Sequence, residues 1–400
     1  MPPRTSLQAF LATARAALTA PPSKRTAPVT FVVGNESADL DSLCSALLLA
    51  YLRTHTPPHA LHVPLCNLPR DDLTLRPEFT SVLRSAAAHP SDILTLTELP
   101  HPEALKAEDT EWLLVDHNAM TGSLGELYGS RVVGCIDHHA DESKVPRDSA
   151  TRIIEKTGSC ASLVTEHCRS AWDALSTDEQ IDAQLAYLGL GPILVDTTNL
   201  TDKNKTTEHD VGAVEYLEYK LANMKSSDDG IYERSAFWTR ISHLKEDIAS
   251  LSLRDVFRKD YKEWDEGALK LGTSSAPQDF RFLVEKAGEG AEEALVETLG
   301  KWAEEKKVDL VAVLTAFRTE GVFQRELLVW GRTAAGIPAA REFERKFGKE
   351  LELESWDDGK LDSDGDEGEG GWRRCWKQGQ VKDGRKQIGP MLREVMNGAK

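Results

Sequence analysis

The sequence predicts an α/β fold in two domains, the first built on a parallel sheet and the second, smaller one on a sheet of its own. Three observations lead there. Four hundred residues exceed what one compact core usually organises. In the first half, four short apolar runs each end on a polar residue and alternate with helix-like stretches, the pattern of strands buried on both faces. Beyond residues 225–230 (KSSDDG) the chain changes character, and a second set of apolar runs begins.

The elements follow in order. Leu7, Phe10, Leu11, Ala14 and Leu18 repeat at helical spacing before Pro21 and Pro22, so residues 1–28 are expected to hold a helix packed on the first domain. This stretch carries Arg4, Arg15, Lys24 and Arg25 but no acid before Glu36, which also fits a mitochondrial transit segment. Strands are expected at 29–33, 112–115, 132–136 and 190–195, with helices at 40–54, 161–174, 178–188 and 208–221. The first domain is thus drawn as 1–225, a linker as 226–236 and the second domain as 237–400. In the second domain, helices are expected within 231–251 and at 291–306, and strands at 280–284, 310–316 and 326–330. Residues 355–371 hold seven acids against one lysine among glycines, and read as an acidic disordered loop. Asp362, Asp364 and Asp366 imitate the start of a calcium loop, but Glu367 stands where the turn glycine belongs and Arg373 where the bidentate glutamate belongs.

Composition excludes several classes. A formal charge of −17 argues against a general nucleic-acid binder, whose affinity would come from a basic surface. Mean hydropathy of −0.39 and the lack of any run of about 18 apolar residues argue against a membrane protein. Six cysteines without a CxxC pair make neither a disulfide scaffold nor a zinc ribbon, and with no secretory leader pattern a cytoplasmic location is expected. All eleven histidines lie between His55 and His243, so histidine chemistry belongs to the first domain.

At the ends of the four expected strands sit clusters of metal-ligating residues: Asn35, Asp39 and Asp41; Asp116, His117 and Asn118; Asp137, His138 and His139; and Asp196. Singly each is weak, because an aspartate after a strand is commonly a helix cap. Together they would leave several uncompensated charges in one crevice. A pair of divalent cations accounts for them, and an oxygen-rich set with one imidazole suits Mg²⁺ or Mn²⁺.

The segments GNESADLDSL, LVDHN, IDHH and ILVDTTN resemble, in order and spacing, the four motifs of the DHH phosphoesterase superfamily. One branch carries a Gly-Gly-Gly-His signature in its last domain, and no histidine follows His243 here. The other branch comprises family II inorganic pyrophosphatases, exopolyphosphatases and prune proteins, with a DHHA2-like second domain. Arg258-Lys259-Asp260-Tyr261-Lys262 and Gly384-Arg385-Lys386, with Pro390 following, resemble its lysine segment and its Arg-Lys motif. Asn35 stands where pyrophosphatases carry histidine, and His139 where prune proteins carry arginine. The chain is therefore most similar to an exopolyphosphatase of the fungal type. Gly384 replaces the serine usual before the Arg-Lys pair, which leaves one hydroxyl contact unfilled.

What the resemblance implies is an exopolyphosphatase with two divalent metal ions, Mg²⁺ or Mn²⁺, and its active site in a cleft between the domains. Asn35, Asp39 and Asp116 would hold one ion; Asp41, Asp116, His138 and Asp196 the other. Asp137 would support the histidines. His139 and Asn118, with Lys262, Arg385 and Lys386 from the second domain, would contact an inorganic polyphosphate substrate, whose terminal phosphoanhydride is opened by in-line attack of a metal-bridging hydroxide. No nucleic acid, membrane or obligate protein partner is implied. The alternatives are a pyrophosphatase, or a phosphatase of short or nucleotide polyphosphates, and a prune-like interaction protein with residual activity.

Overall fold

In the computed structural model, which describes residues 4–25, 28–222, 232–366, 368 and 370–398, the chain divides into two units, Met1–Lys245 and Glu246–Lys400. The first opens with α1 (Leu7–Thr19), capped by the Ser6 hydroxyl, and the five residues at helical spacing are all buried. There follow β1 (Val29–Val33), α2 (Leu40–His55), β2 (His62–Leu65), α3 (Pro77–Ser85), β3 (Thr110–Val115), α4 (Gly122–Tyr128), β4 (Val132–Asp137) and β5 (Thr151–Ile154). Four helices complete it: α5 (Cys160–Asp173), α6 (Glu179–Asp196), α7 (Glu208–Ala222) and α8 (Arg234–Glu246). Part of the expected linker, 226–231, lies outside the described residues.

The five strands are all parallel, in the order β2-β1-β3-β4-β5. Strand order reverses between β1 and β3, and the crevice outside the carboxyl ends at such a point is where an open α/β sheet receives its ligand. Alternate residues of the strands feed two cores. Val32, Leu113 and Ile136 face the one built with α2, α5, α6 and α7; Phe31, Trp112 and Cys135 face the other, where Phe31 and Trp112 stack at 4.4 Å.

One expected strand of this unit is a helix. Residues 190–195 form the last turns of α6, which runs on from the expected helix at 178–188. A continuous apolar run suits a strand buried on both faces and a helix buried all round equally well. Here the run is walled in by α2, α3, α5 and α7, and the backbone closes on its neighbours through glycine: a Cβ on Gly189 would lie 2.7 Å from Leu217, and one on Gly191 2.8 Å from Val82.

The second unit comprises α9 (Leu253–Lys259), β6 (Tyr261–Glu266), β7 (Leu269–Ala276), α10 (Phe280–Ala287), α11 (Ala291–Lys306), β8 (Leu310–Thr315), β9 (Phe317–Thr319), β10 (Val322–Gln324) and β11 (Glu326–Gly331). It ends with α12 (Gly336–Phe347), β12 (Leu353–Ser355), β13 (Ser363–Asp364), β14 (Trp372–Gln378) and α13 (Arg385–Gly398). Its mixed sheet runs β12-β14-β11-β8-β7-β6, with β13 pairing β14 and only β7 and β8 parallel. Helices cover both faces: Phe257, Phe280 and Leu299 on one, Phe343 and Leu392 on the other.

Two expectations are corrected in this unit. Residues 280–284 are the start of α10, not a strand: Asp279 caps the Phe282 amide, and Phe280, Leu283 and Val284 are buried at helical spacing. The segment 355–371 is ordered wherever it is described. Trp356 and Leu361 are buried, Arg373 donates to the Leu361 carbonyl (2.6 Å), and Arg374 pairs with Asp364 (2.5 Å). Two apolar anchors and two arginines of β14 thus hold a segment whose composition alone could not. Glu367 and Glu369 lie outside the described residues. Among the described residues no helix is long and apolar enough to cross a membrane.

Candidate metal centre

The ends of β1, β3 and β4 deliver the predicted side chains to one place. After β1, Gly34 lets the chain pass so close to α2 that a Cβ on it would lie 2.5 Å from the Cβ of Ser42. The Ser42 hydroxyl is thereby within 3.1 Å of the Asn35 amide and donates to Asp116 Oδ2 at 2.7 Å. Asp39 is the N-cap of α2, accepting from the Ser42 amide at 3.0 Å. Asp41, in the first turn of α2, accepts from the first amides of α5, those of Cys160 (2.6 Å) and Ala161 (2.9 Å). The α5 N-terminus is therefore filled by a protein carboxylate, whose negative charge the helix dipole favours.

Asp116 follows β3 in the left-handed region, at φ +60°, a conformation aspartate tolerates at a small cost. It is almost wholly buried. Its Oδ2 accepts from Ser42 and from Asn35 Nδ2 (2.8 Å), and its Oδ1 lies 3.1 Å from His138 Nε2 and 3.6 Å from His139 Nδ1. Among the described residues, Asp116, His138 and His139 form a group whose ligand atoms lie within 4.8 Å of one another. Asp41 Oδ2 joins it at 3.9 Å from His138 Nε2.

The histidines are oriented from behind. His138 Nδ1 lies 3.0 Å from the Thr157 carbonyl, so it carries its proton and Nε2 faces the carboxylates. His139 Nδ1 lies 2.8 Å from Asp137 Oδ1, and its ring is about a quarter exposed, at 24%. Asp137 is fully buried; burial pushes its pKa up, but hydrogen bonds from His139 and Asn118 outweigh it and hold the carboxyl down to about 2. Asn118 donates to Asp137 (2.5 Å) and to the Ala140 carbonyl (2.9 Å) and accepts from the Glu142 amide (2.7 Å), so its amide fixes this loop. His117 turns back to the Val115 carbonyl.

The electrostatics are those of a site short of positive charge. Burial, then Asp116 and Asp196, push Asp39 up to about 6, and the same causes push Asp41 well above the carboxylate range. Asp196, at the carboxyl end of α6 rather than of a strand, belongs to this cluster and lies 3.4 Å from Lys245 Nζ. Both nitrogens of His138 face oxygens, an arrangement satisfied by an imidazolium or by a cation in place of the Nε2 proton. Mutually repelling carboxylates around one imidazole of fixed tautomer fit a divalent cation with hard or borderline preference. Asn35 departs from the expected ligand geometry: its Oδ1 accepts from the Ser37 amide (3.0 Å) and hydroxyl (2.7 Å), and Nδ2 faces Asp116. Ligation through oxygen would require its amide to turn over.

Three contributors escaped the sequence reading. Lys245 has no motif around it. Arg76, buried, donates to the Ser37 (2.6 Å) and Ala38 (2.9 Å) carbonyls and so braces the loop that carries Asn35 and Asp39. Asp210 had a signal, the Thr-x-x-Asp of Thr207 to Asp210 before α7, which is a capping pattern. In the second unit, Lys262 lies on β6 and Arg385 and Lys386 open α13. Arg385 donates to the Asp260 carbonyl (2.9 Å) and carboxylate (2.6 Å), which ties the start of α13 to the residue just before β6.

Residues 29–190 match the DHH family, N-terminal domain, and residues 239–395 match the DHHA2 domain. The chain is 31% identical over 373 residues to a Schizosaccharomyces pombe protein named "Putative exopolyphosphatase", covering 91% of this chain and 90% of that one. It is 25% identical over 248 residues to a manganese-dependent inorganic pyrophosphatase of Methanocaldococcus jannaschii, covering 60% of this chain and 69% of that one. Its fold resembles a crystal structure described as a putative family II inorganic pyrophosphatase of Methanococcus jannaschii, with a TM-score of 0.61 at 22% identity over 92% of this chain and all of the other. The chain belongs to the DHH family. It is a two-domain hydrolase of that family, with a DHHA2 domain following the DHH domain.

Proposed function

We propose that this protein hydrolyses phosphoanhydride bonds and is an exopolyphosphatase, releasing orthophosphate from the end of inorganic polyphosphate with the help of two divalent metal ions. The convergence of Asp41, Asp116 and His138 at the β1–β3 switch point, beside a histidine held by a buried aspartate, is the observation that carries this reading.

In this reading Asp41, Asp116, His138 and Asp196, with Asp39 and a turned Asn35, hold the ions. When bound, divalent cations would lower the pKa of a coordinated water and offset the charge of the substrate phosphates. Asp116, buried and gripped at Oδ2 by Ser42 and Asn35, presents a carboxylate that does not swing away. His139 supplies the proton for the departing phosphate from Nε2, because Asp137 holds Nδ1–H and favours the imidazolium. Lys262, Arg385 and Lys386 bind the charged chain, arginine through its planar fork and lysine as a point charge.

A hydrolysis panel of pyrophosphate, tripolyphosphate, long-chain polyphosphate and ATP with Mg²⁺ or Mn²⁺, with Asp116→Ala as blank, tests the proposal. Faster phosphate release from long chains than from pyrophosphate is expected. Pyrophosphate as the preferred substrate would instead assign a pyrophosphatase, a reading favoured by the similarity to the archaeal enzyme.

A further inference from the structure

We infer that Asp210, which is not among the metal-ligating residues, is a positioning residue that sets the ring of His138 through a single peptide group. The inference rests on His138 being a metal ligand. Asp210 sits in the first turn of α7 with no exposed surface, outside the four motifs and a short loop beyond the last of them. Its carboxylate collects six donors. Oδ1 accepts from the hydroxyls of Thr157 (2.8 Å) and Ser162 (2.6 Å) and the Ser159 amide (3.3 Å). Oδ2 accepts from the amides of Gly158 (2.9 Å) and Thr207 (2.8 Å) and the Thr207 hydroxyl (2.9 Å).

The Gly158 amide and the Thr157 carbonyl belong to one planar trans peptide, so they point in opposite directions. Asp210 grips the N–H end, and the C=O end accepts the Nδ1 proton of His138 at 3.0 Å. The carboxylate therefore orients the carbonyl, and its charge polarises the peptide so that the carbonyl is a stronger acceptor. A stronger acceptor at Nδ1 holds the proton there and makes Nε2, the nitrogen facing Asp116, the better donor to a cation. Residue 158 must be glycine for the grip to close: a Cβ there would lie 2.9 Å from Asp210 Oδ2 and 2.6 Å from Cγ2 of Thr197. Thr197 adjoins Asp196, so the same peptide also spaces the His138 and Asp196 sides of the centre.

The neutral-ring tautomer of His138, read by ¹⁵N NMR in the metal-free protein at alkaline pH, and the affinity for Mn²⁺ alone, read by calorimetry, test this on the full chain. His138→Gln identifies the signal. For Asp210→Asn we expect a mixture of tautomers and Mn²⁺ binding weaker by about tenfold or more. Ser162→Ala removes one Asp210 bond but not the one to Gly158, and should lower the melting temperature while leaving tautomer and affinity unchanged. If Asp210→Asn does not fold, Gly158→Ala displaces the same peptide and should weaken Mn²⁺ binding in the same way. A folded Asp210→Asn with unchanged tautomer and unchanged Mn²⁺ affinity overturns the inference. Absence of Mn²⁺ binding in the unsubstituted protein overturns the metal-centre reading itself, and so the premise with it.

Discussion

At the scale of single residues, the centre is a set of carboxylates whose charges are tolerated only because each is held by donors. Asp116 is the most committed, so under the proposed function Asp116→Asn should keep the fold, abolish measurable Mn²⁺ binding in calorimetry and lower kcat by about a thousandfold or more, because the proposed metal centre would lose the charge of its central carboxylate. Lys245 makes the opposite case. Its ammonium pairs with Asp196 and lowers the pKa of Asp39, so it opposes a cation in the same place. Lys245→Met should tighten Mn²⁺ binding about threefold, the scale of a half-exposed ion pair; weaker binding would mean that the lysine organises the site. Asp210 couples the site to stability. Burial pushes its pKa up, but the hydroxyls and amides around it prevail and leave it below the ordinary 3.8. A depressed carboxylate contributes stability that is fully present above its unfolded pKa and is lost as pH falls through the folded one. Asp210→Asn should therefore cost about 3 kcal/mol near neutrality, where buried donors lose a charged acceptor. The gap from the unsubstituted protein should shrink as pH falls below 3.8, as denaturant titrations across pH will read.

At the scale of elements, α6 is where pattern and packing part company. The apolar run ending at Asp196 carries no period that separates a strand from a helix buried all round, and only the closeness of Val82 and Leu217 to Gly191 and Gly189 decides for a helix. Gly191→Ala tests it. Alanine would gain about 1 kcal/mol in helix propensity, yet its Cβ meets Val82, and overpacking at such a site costs ~1–3 kcal/mol. A fall in melting temperature is expected by calorimetry. The acidic segment after β12 repeats the lesson with opposite sign: its charge and glycines read as disorder, while Trp356, Leu361 and the arginines of β14 pin it. By contrast α1, α2, α5, α7 and α11 were legible, since their stripes and caps are local properties.

At the scale of the whole molecule, each unit has its own sheet and its own cores, and every predicted metal ligand lies in the first. A fragment of residues 1–245 should bind Mn²⁺ in calorimetry, and a fragment of residues 246–400 should not, although it should fold, as circular dichroism will read. Hydrolysis by the first fragment alone at the full rate would remove Lys262, Arg385 and Lys386 from the proposed function.

The sequence by itself determined the two-domain α/β class, the three strands at 29–33, 112–115 and 132–136, and the identity of the residues gathered at their ends. These are encoded in runs a few residues long, and a parallel sheet leaves its carboxyl ends one place to meet. The tertiary structure alone decided that Asp196 arrives on a helix, that Asn35 faces Asp116 with its nitrogen, and that Asn118 is spent on its own loop. It also decided that Arg76, Lys245 and Asp210 stand around the centre. Such contacts join segments tens of residues apart, and hydrogen-bond partners at that distance leave no periodic trace in the chain.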